Sequence, residues 1–158
     1  METETATRWL SDAEQRAWRT HLDVNKLLTH QLEKDLQPFG LTMNDYEILV
    51  NLSESAERRM RMSDLAATTL QSKSRLSHQI TRMETAGLVR RENCESDRRG
   101  LYAVLTDQGM ETMQKVAPHH VESVRKHFIS LLTPQALADL RASLTPVAEH
   151  LRGRRGKG

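Results

Sequence analysis

"ESDRRGLYAVLT", residues 95–106, opens with charged side chains around a serine and a glycine, then alternates apolar and polar. A period of two over "LYAVLT" belongs to a β-strand, and "LVRRENC" just upstream, residues 88–94, is a second β-prone run. Together they read as a two-stranded antiparallel ribbon turning through "ESDRRG", with Asp97, Arg98 and Arg99 at its tip. Two strands alone are marginal in water, so this ribbon has to lean on neighbouring helices.

The segment that feeds it, "SKSRLSHQITRMETAG" (72–87), is helical: Ser72 can cap its start and Gly87 can take the left-handed conformation at its end. Leu76, Ile80 and Met83 fall at i, i+4 and i+7 and share an inward face, which leaves Ser74, Ser77, His78, Thr81 and Arg82 on the other side. Hydroxyls, an imidazole and a guanidinium on one exposed face can make hydrogen bonds in several directions.

Working outward, "ERRMRMSDLAATTLQ" (57–71) contains a helix expected to open at Ser63, and "LTMNDYEILVNLSES" (41–55) one capped by Thr42. Residues 12–37 fit a long helix that Asp12 can cap and that Pro38 and Gly40 end. Downstream, Thr106 or Asp107 caps a helical stretch to about Leu132, which Pro118 should kink or restart. Thr133 and Pro134 then open a last helix. The tail, residues 153–158, is expected to be disordered and basic.

Net charge is +2 over 158 residues, but its distribution is uneven: −6 over residues 1–57, +5 over 58–100 and +3 over 101–158. A polyanion would therefore be met by the middle of the chain. No stretch approaches the roughly 18 apolar residues of a membrane span, and residues 1–10 lack the pattern of a secretion signal, so a cytoplasmic location and no membrane partner are expected.

Helix, helix, helix, helix, ribbon, helix, helix is the outline of a winged helix-turn-helix: mainly α with a small antiparallel β-wing. Residues 38–106 would form that domain, and residues 1–37 and 107–152 a helical dimerisation region. Trp9, Leu10, Trp18, Leu22, Val121, Phe128, Leu140, Leu144 and Leu151 exceed what so small a core absorbs and mark an interface.

"MSDLAATTLQSKSRLSHQITRMETAGLVRRENCESDRRGLYAVLTDQG" (62–109) resembles the central signature of the MarR family of bacterial transcription regulators, above all in "GLVRR", "DRRG" and "LTDQG". The resemblance implies a sequence-specific regulator of double-stranded DNA, by expectation a repressor, acting as a homodimer on a pseudo-palindromic operator. Bases are told apart by hydrogen-bond patterns in the major groove, so Ser74, Ser77, His78, Thr81 and Arg82 are candidates for base and adjacent phosphate contacts. Lys73 and Arg75 are candidates for the backbone, with Ser72 and Arg98 counted in the same DNA-facing set. The family's wing motif implies that Arg99 enters the minor groove, with Asp97 as its orienting partner. Of Arg90 and Arg91, one can face phosphate while the other covers the core with its stem.

Many members of that family are released by small aromatic or phenolic ligands held between the dimer helices and the reading domain. The matching crevice here would draw on His21, Asn25, His30 and Tyr46, with Met43 and Met113 beside them. Cys94 reads as a buried side chain of the wing rather than a redox sensor. His119 and His120 are adjacent, so they point to different helix faces; neither they nor His127 read as a metal site, and no cofactor is expected. The chain carries no glycine-rich phosphate loop, serine elbow or HExxH, so no enzymatic activity is expected.

Overall fold

The computed structural model describes residues 6–155, apart from the side chains of Arg98, Arg154 and Arg155. Helix α1 (Asp12–Leu36) is capped by Ser11 rather than Asp12: the Ser11 hydroxyl accepts from Glu14 N, and the Glu14 carboxylate accepts from Ser11 N. That reciprocal pair satisfies two backbone donors, and Asp12 contributes its charge to the first turn. A short 3-10 turn (Gln37–Phe39) and Gly40, at φ 70°, end the helix where Pro38 and Gly40 placed its end. Helix α2 (Met43–Glu54) opens on the expected cap Thr42, whose backbone N–H donates to the Asp45 carboxylate.

The chain then passes through Glu57 and Arg58 in left-handed backbone conformation (φ 54° and 53°) into strand β1 (Arg59–Arg61). A strand of three residues is too short for a period to show, and none was expected there. Helix α3 (Met62–Thr68) starts directly after it, so Ser63 lies inside the first turn and is not the cap. Between α3 and α4 (Lys73–Thr85), Leu70 is exposed at φ 57°. A left-handed L-residue costs about 1–2 kcal/mol, so Leu70→Gly should raise stability by up to about 1 kcal/mol after the entropy lost to glycine; denaturant titration would reveal it.

Helix α4 is capped by Ser72 and closed by Gly87 at φ 79°, as expected. Strands β2 (Val89–Cys94) and β3 (Asp97–Leu105) follow. The turn between them is only Glu95 and Ser96, because a register shift at Asn93/Cys94 sets Cys94 opposite Asp97 and draws "DRRG" into the strand. The wing is therefore part of a three-stranded antiparallel sheet, order β1-β3-β2, instead of a two-stranded ribbon. Helix α5 (Asp107–His127) is capped by Thr106, runs through Pro118 as one element, and stops before Leu132, giving way to a 3-10 turn (Ile129–Leu131). Helix α6 (Pro134–Arg155) begins where Thr133 Oγ1 accepts from Ala136 N, and it continues helical past residue 152. Residues 156–158 of the expected tail lie outside the described residues.

The core gathers α2, α3, α4, the sheet and α5 around Ile48, Leu49, Leu52, Leu65, Leu76, Ile80, Met83, Val89, Ala103 and Val116. Each such aliphatic side chain stabilises the fold by about 1.5–3 kcal/mol, so three of them fix which face of α4 turns outward. The terminal helices differ. Trp9, Trp18, Leu27, Val121, Leu131, Val147 and Leu151 are more than half exposed, and α6 touches the remaining described elements only glancingly. Leu22, Phe128 and Leu140 are partly covered. No described helix is long and apolar enough to cross a membrane.

Candidate nucleic-acid interface

With Leu76, Ile80 and Met83 buried, α4 exposes Lys73, Ser74, Arg75, Ser77, His78, Thr81 and Arg82, as its period required. Ser72, at its head, spends its hydroxyl on the helix, accepting from Arg75 N at 3.2 Å. Lys73 and Ser77 line a cleft of about 410 Å³ between α4 and the wing, together with Arg61, Ser63, Arg91 and Arg99. Arg75 and His78 line a second cleft beside the start of α2.

Arg82, expected among the base and phosphate contacts, turns back instead. Its guanidinium forks onto Asp45 of α2 at 2.6 and 3.0 Å, and Asp45 is 1% exposed. Gln79, which periodicity alone leaves unassigned, is buried behind it and links Gln71 to Asp45 through bonds of 2.9 Å each. Arg82 thus fastens α4 to α2.

The wing corrects a second expectation. Asp97 holds Arg99 through the backbone, accepting from its N–H at 3.0 Å, and the guanidinium beside the carboxylate, 4.0 Å away, is that of Arg61. Arg61, from β1, also donates to Ser96 Oγ at 3.4 Å and lies 6.0 Å from the Tyr102 ring centre. Nothing local in the sequence marks Arg61, because its partners arrive from the far strand. Arg99 is exposed, and the Arg98 side chain lies outside the described residues. Of the arginine pair on β2, Arg90 is exposed and bonded to Glu92, whereas Arg91 lies across α4.

Cys94 is buried, with Sγ 3.3 Å from Ser96 Oγ; hydrogen bonds from Ser96 and Tyr102 hold its thiol below the usual range. The residues expected to line an effector crevice are spread over different surroundings. His21 and Asn25 are exposed and bond to each other at 2.9 Å, since i and i+4 are neighbours on a helix. His30 lines an apolar groove with Leu27, Leu28, Phe128, Leu131 and Leu132. Tyr46 is buried against His120, ring centres 4.5 Å apart, and burial pushes its hydroxyl pKa up. His120 is lowered by burial. His119 packs on Phe39, and His127 lies 3.7 Å from Asp35, which also accepts from Ser123 Oγ. Among the described residues, no group of three or more His, Cys, Asp or Glu side chains is arranged to hold a metal.

A helix with a polar outer edge, fixed beside a cationic three-stranded wing, defines the winged helix-turn-helix class of DNA-binding regulator. The model of the MarR family matches residues 39–100. The HTH-type transcriptional regulator PecS of Dickeya dadantii (strain 3937) is 30% identical over 129 residues, spanning 81% of this chain and 77% of that protein. The chain belongs to the MarR family of transcriptional regulators. Among solved structures, AbsC, a MarR family transcriptional regulator from Streptomyces coelicolor, is 79% identical, with a TM-score of 0.90 over 93% of this chain and 99% of that one. Sco3205, a MarR family transcriptional regulator from Streptomyces coelicolor solved in complex with DNA, is 42% identical, with a TM-score of 0.88 over 92% of each chain.

Proposed function

We propose that the protein is a repressor that binds a pseudo-palindromic operator as a homodimer. The observation that carries this reading is the cleft on which Lys73 and Ser77 of α4 and Arg99 of the wing converge, since one duplex seated there meets a reading edge and a cationic tip together. The homodimer is supported by the exposed apolar side chains of α1, α5 and α6, which a second copy would cover. A twofold axis through those helices would set two reading helices about 34 Å apart, one turn of duplex. In this reading α4 enters the major groove with Ser74, Ser77, His78 and Thr81 toward base edges, Lys73 and Arg75 hold the backbone, and Arg99 reaches the minor groove. A small aromatic or phenolic effector, held between the dimer helices and the reading domain as the resemblance implies, would release the operator.

The test is to select bound fragments from genomic DNA and titrate one by gel shift. Retention should fall steeply with added salt, because neutralised phosphates release counterions. Arg99→Ala should weaken binding by about 1–3 kcal/mol and leave the oligomeric state unchanged in light scattering. Failure to retain any fragment at low salt would overturn the reading, and unchanged affinity would remove the wing from it.

A further inference from the structure

Arg91 stands on the wing strand β2 but faces the reading helix. Its backbone N–H and Nη1 donate to the two carboxylate oxygens of Glu84 at 2.9 and 3.1 Å, so its charge is already matched. Its Nη2 lies within hydrogen-bond distance of three oxygens on α4: Ser77 O at 2.8 Å, Ser77 Oγ at 3.2 Å and Thr81 Oγ1 at 3.0 Å. The side chain is 21% exposed. A guanidinium engaged in this way has little left to offer a phosphate.

What it does to the two hydroxyls follows from counting protons. Nη2 has two protons for these three oxygens and can only donate, so a hydroxyl can meet it only as an acceptor. The Thr81 proton is directed at Ser77 O, 3.0 Å away. With its proton and one lone pair engaged, Thr81 keeps acceptor capacity alone. Ser77 Oγ, where it accepts from Arg91, keeps its proton and a second lone pair, so it can still do either. Without the guanidinium, the Thr81 hydroxyl loses its tie to the wing and can rotate to donate as well as accept. In the major groove that difference is legible: adenine N6 and cytosine N4 donate, whereas guanine O6 and thymine O4 accept.

We propose that Arg91 is a positioning residue for base recognition, holding the Thr81 hydroxyl as an acceptor toward DNA. The proposal rests on α4 reading base edges. Its consequence is that a side chain of the wing sets sequence preference without meeting a nucleotide. Thr81 should then favour a donor-bearing base, adenine or cytosine, at the step it approaches.

The experiment is selection from a randomised duplex library, followed by sequencing, for the full-length wild type, Thr81→Val, Arg91→Lys and the combination. Thr81→Val is close in shape but lacks the hydroxyl, so the column it alters is the one Thr81 reads. Arg91→Lys keeps a charge for Glu84 but loses the fork, and circular dichroism and thermal melting check that it folds. The expected result is that Arg91→Lys broadens the Thr81 column toward guanine and thymine, reducing its preference by about tenfold. Other columns should stay as in the wild type, and adding Thr81→Val should cause little further change. An unchanged consensus with evenly lower affinity would overturn the proposal and make Arg91 a brace or phosphate contact. So would a change confined to columns that Thr81→Val leaves alone. A wild type that selects no consensus would overturn base reading by α4 itself, a distinguishable failure.

Discussion

Gly109→Ala should cost about 3 kcal/mol of folding stability, although alanine is the better helix former by about 1 kcal/mol. Gly109 lies in the first turn of α5, where its N–H donates to Thr106 Oγ1. A Cβ added there would stand 2.0 Å from Leu88 O, 2.7 Å from Leu105 Cδ1 and 3.0 Å from Leu88 C. Leu88 O cannot readily withdraw, because it accepts from Thr106 N at 3.1 Å and from Thr106 Oγ1 at 3.0 Å. Collision with a pinned carbonyl outweighs propensity. Guanidinium titration of the purified variant checks this, and stability equal to the wild type would mean that α5 can slide away from the sheet.

Arg82→Ala is expected to cost about 2–3 kcal/mol, since it leaves a buried carboxylate without its counter-ion, while solvent around the half-exposed guanidinium screens part of the loss. Asp45 would keep only the bonds from Thr42 N at 3.0 Å and Gln79 Nε2 at 2.9 Å. In the wild type, burial pushes the Asp45 pKa up, but hydrogen bonds from Arg82, Thr42 and Gln79 outweigh it and hold the group below its ordinary 3.8. A depressed carboxyl contributes stability that is whole above the unfolded value and is lost as pH falls through the folded one. In the variant burial dominates, so the folded protein takes up a proton more readily than the unfolded chain and regains stability in acid. The gap between variant and wild type should be widest near neutrality and narrow below about pH 4. A gap that does not vary with pH would show that the carboxylate is not its source.

The features legible in the sequence are those set by neighbours along the chain. The buried face of α4 needs only Leu76, Ile80 and Met83 at helical spacing, and the caps Thr42, Ser72 and Thr106 act within one turn. What stayed hidden depends on partners far away in sequence. Strand β1 becomes a strand only because Arg59, Met60 and Arg61 face Val104, Ala103 and Tyr102. A helical wheel gives the direction of a Cβ, not the destination of a long side chain. Arg82 therefore counts as exposed by rotation, yet curls onto Asp45, and Arg91 could have gone either way on a strand. No local pattern along the chain marks an effector crevice, and His21 and Tyr46 have unrelated surroundings.

The middle position of β3 has a mechanical consequence. A hairpin joined to a body along one margin can flap about that seam. Here β3 is stitched at its base along both margins, and Arg61 extends the stitching to Ser96 near the tip. A swing of the wing about its base would therefore have to break one of the two seams. In the proposed homodimer, adjustment of fit to a duplex would tilt each whole winged domain against its twin, which would place the compliant joint between protomers instead of within one.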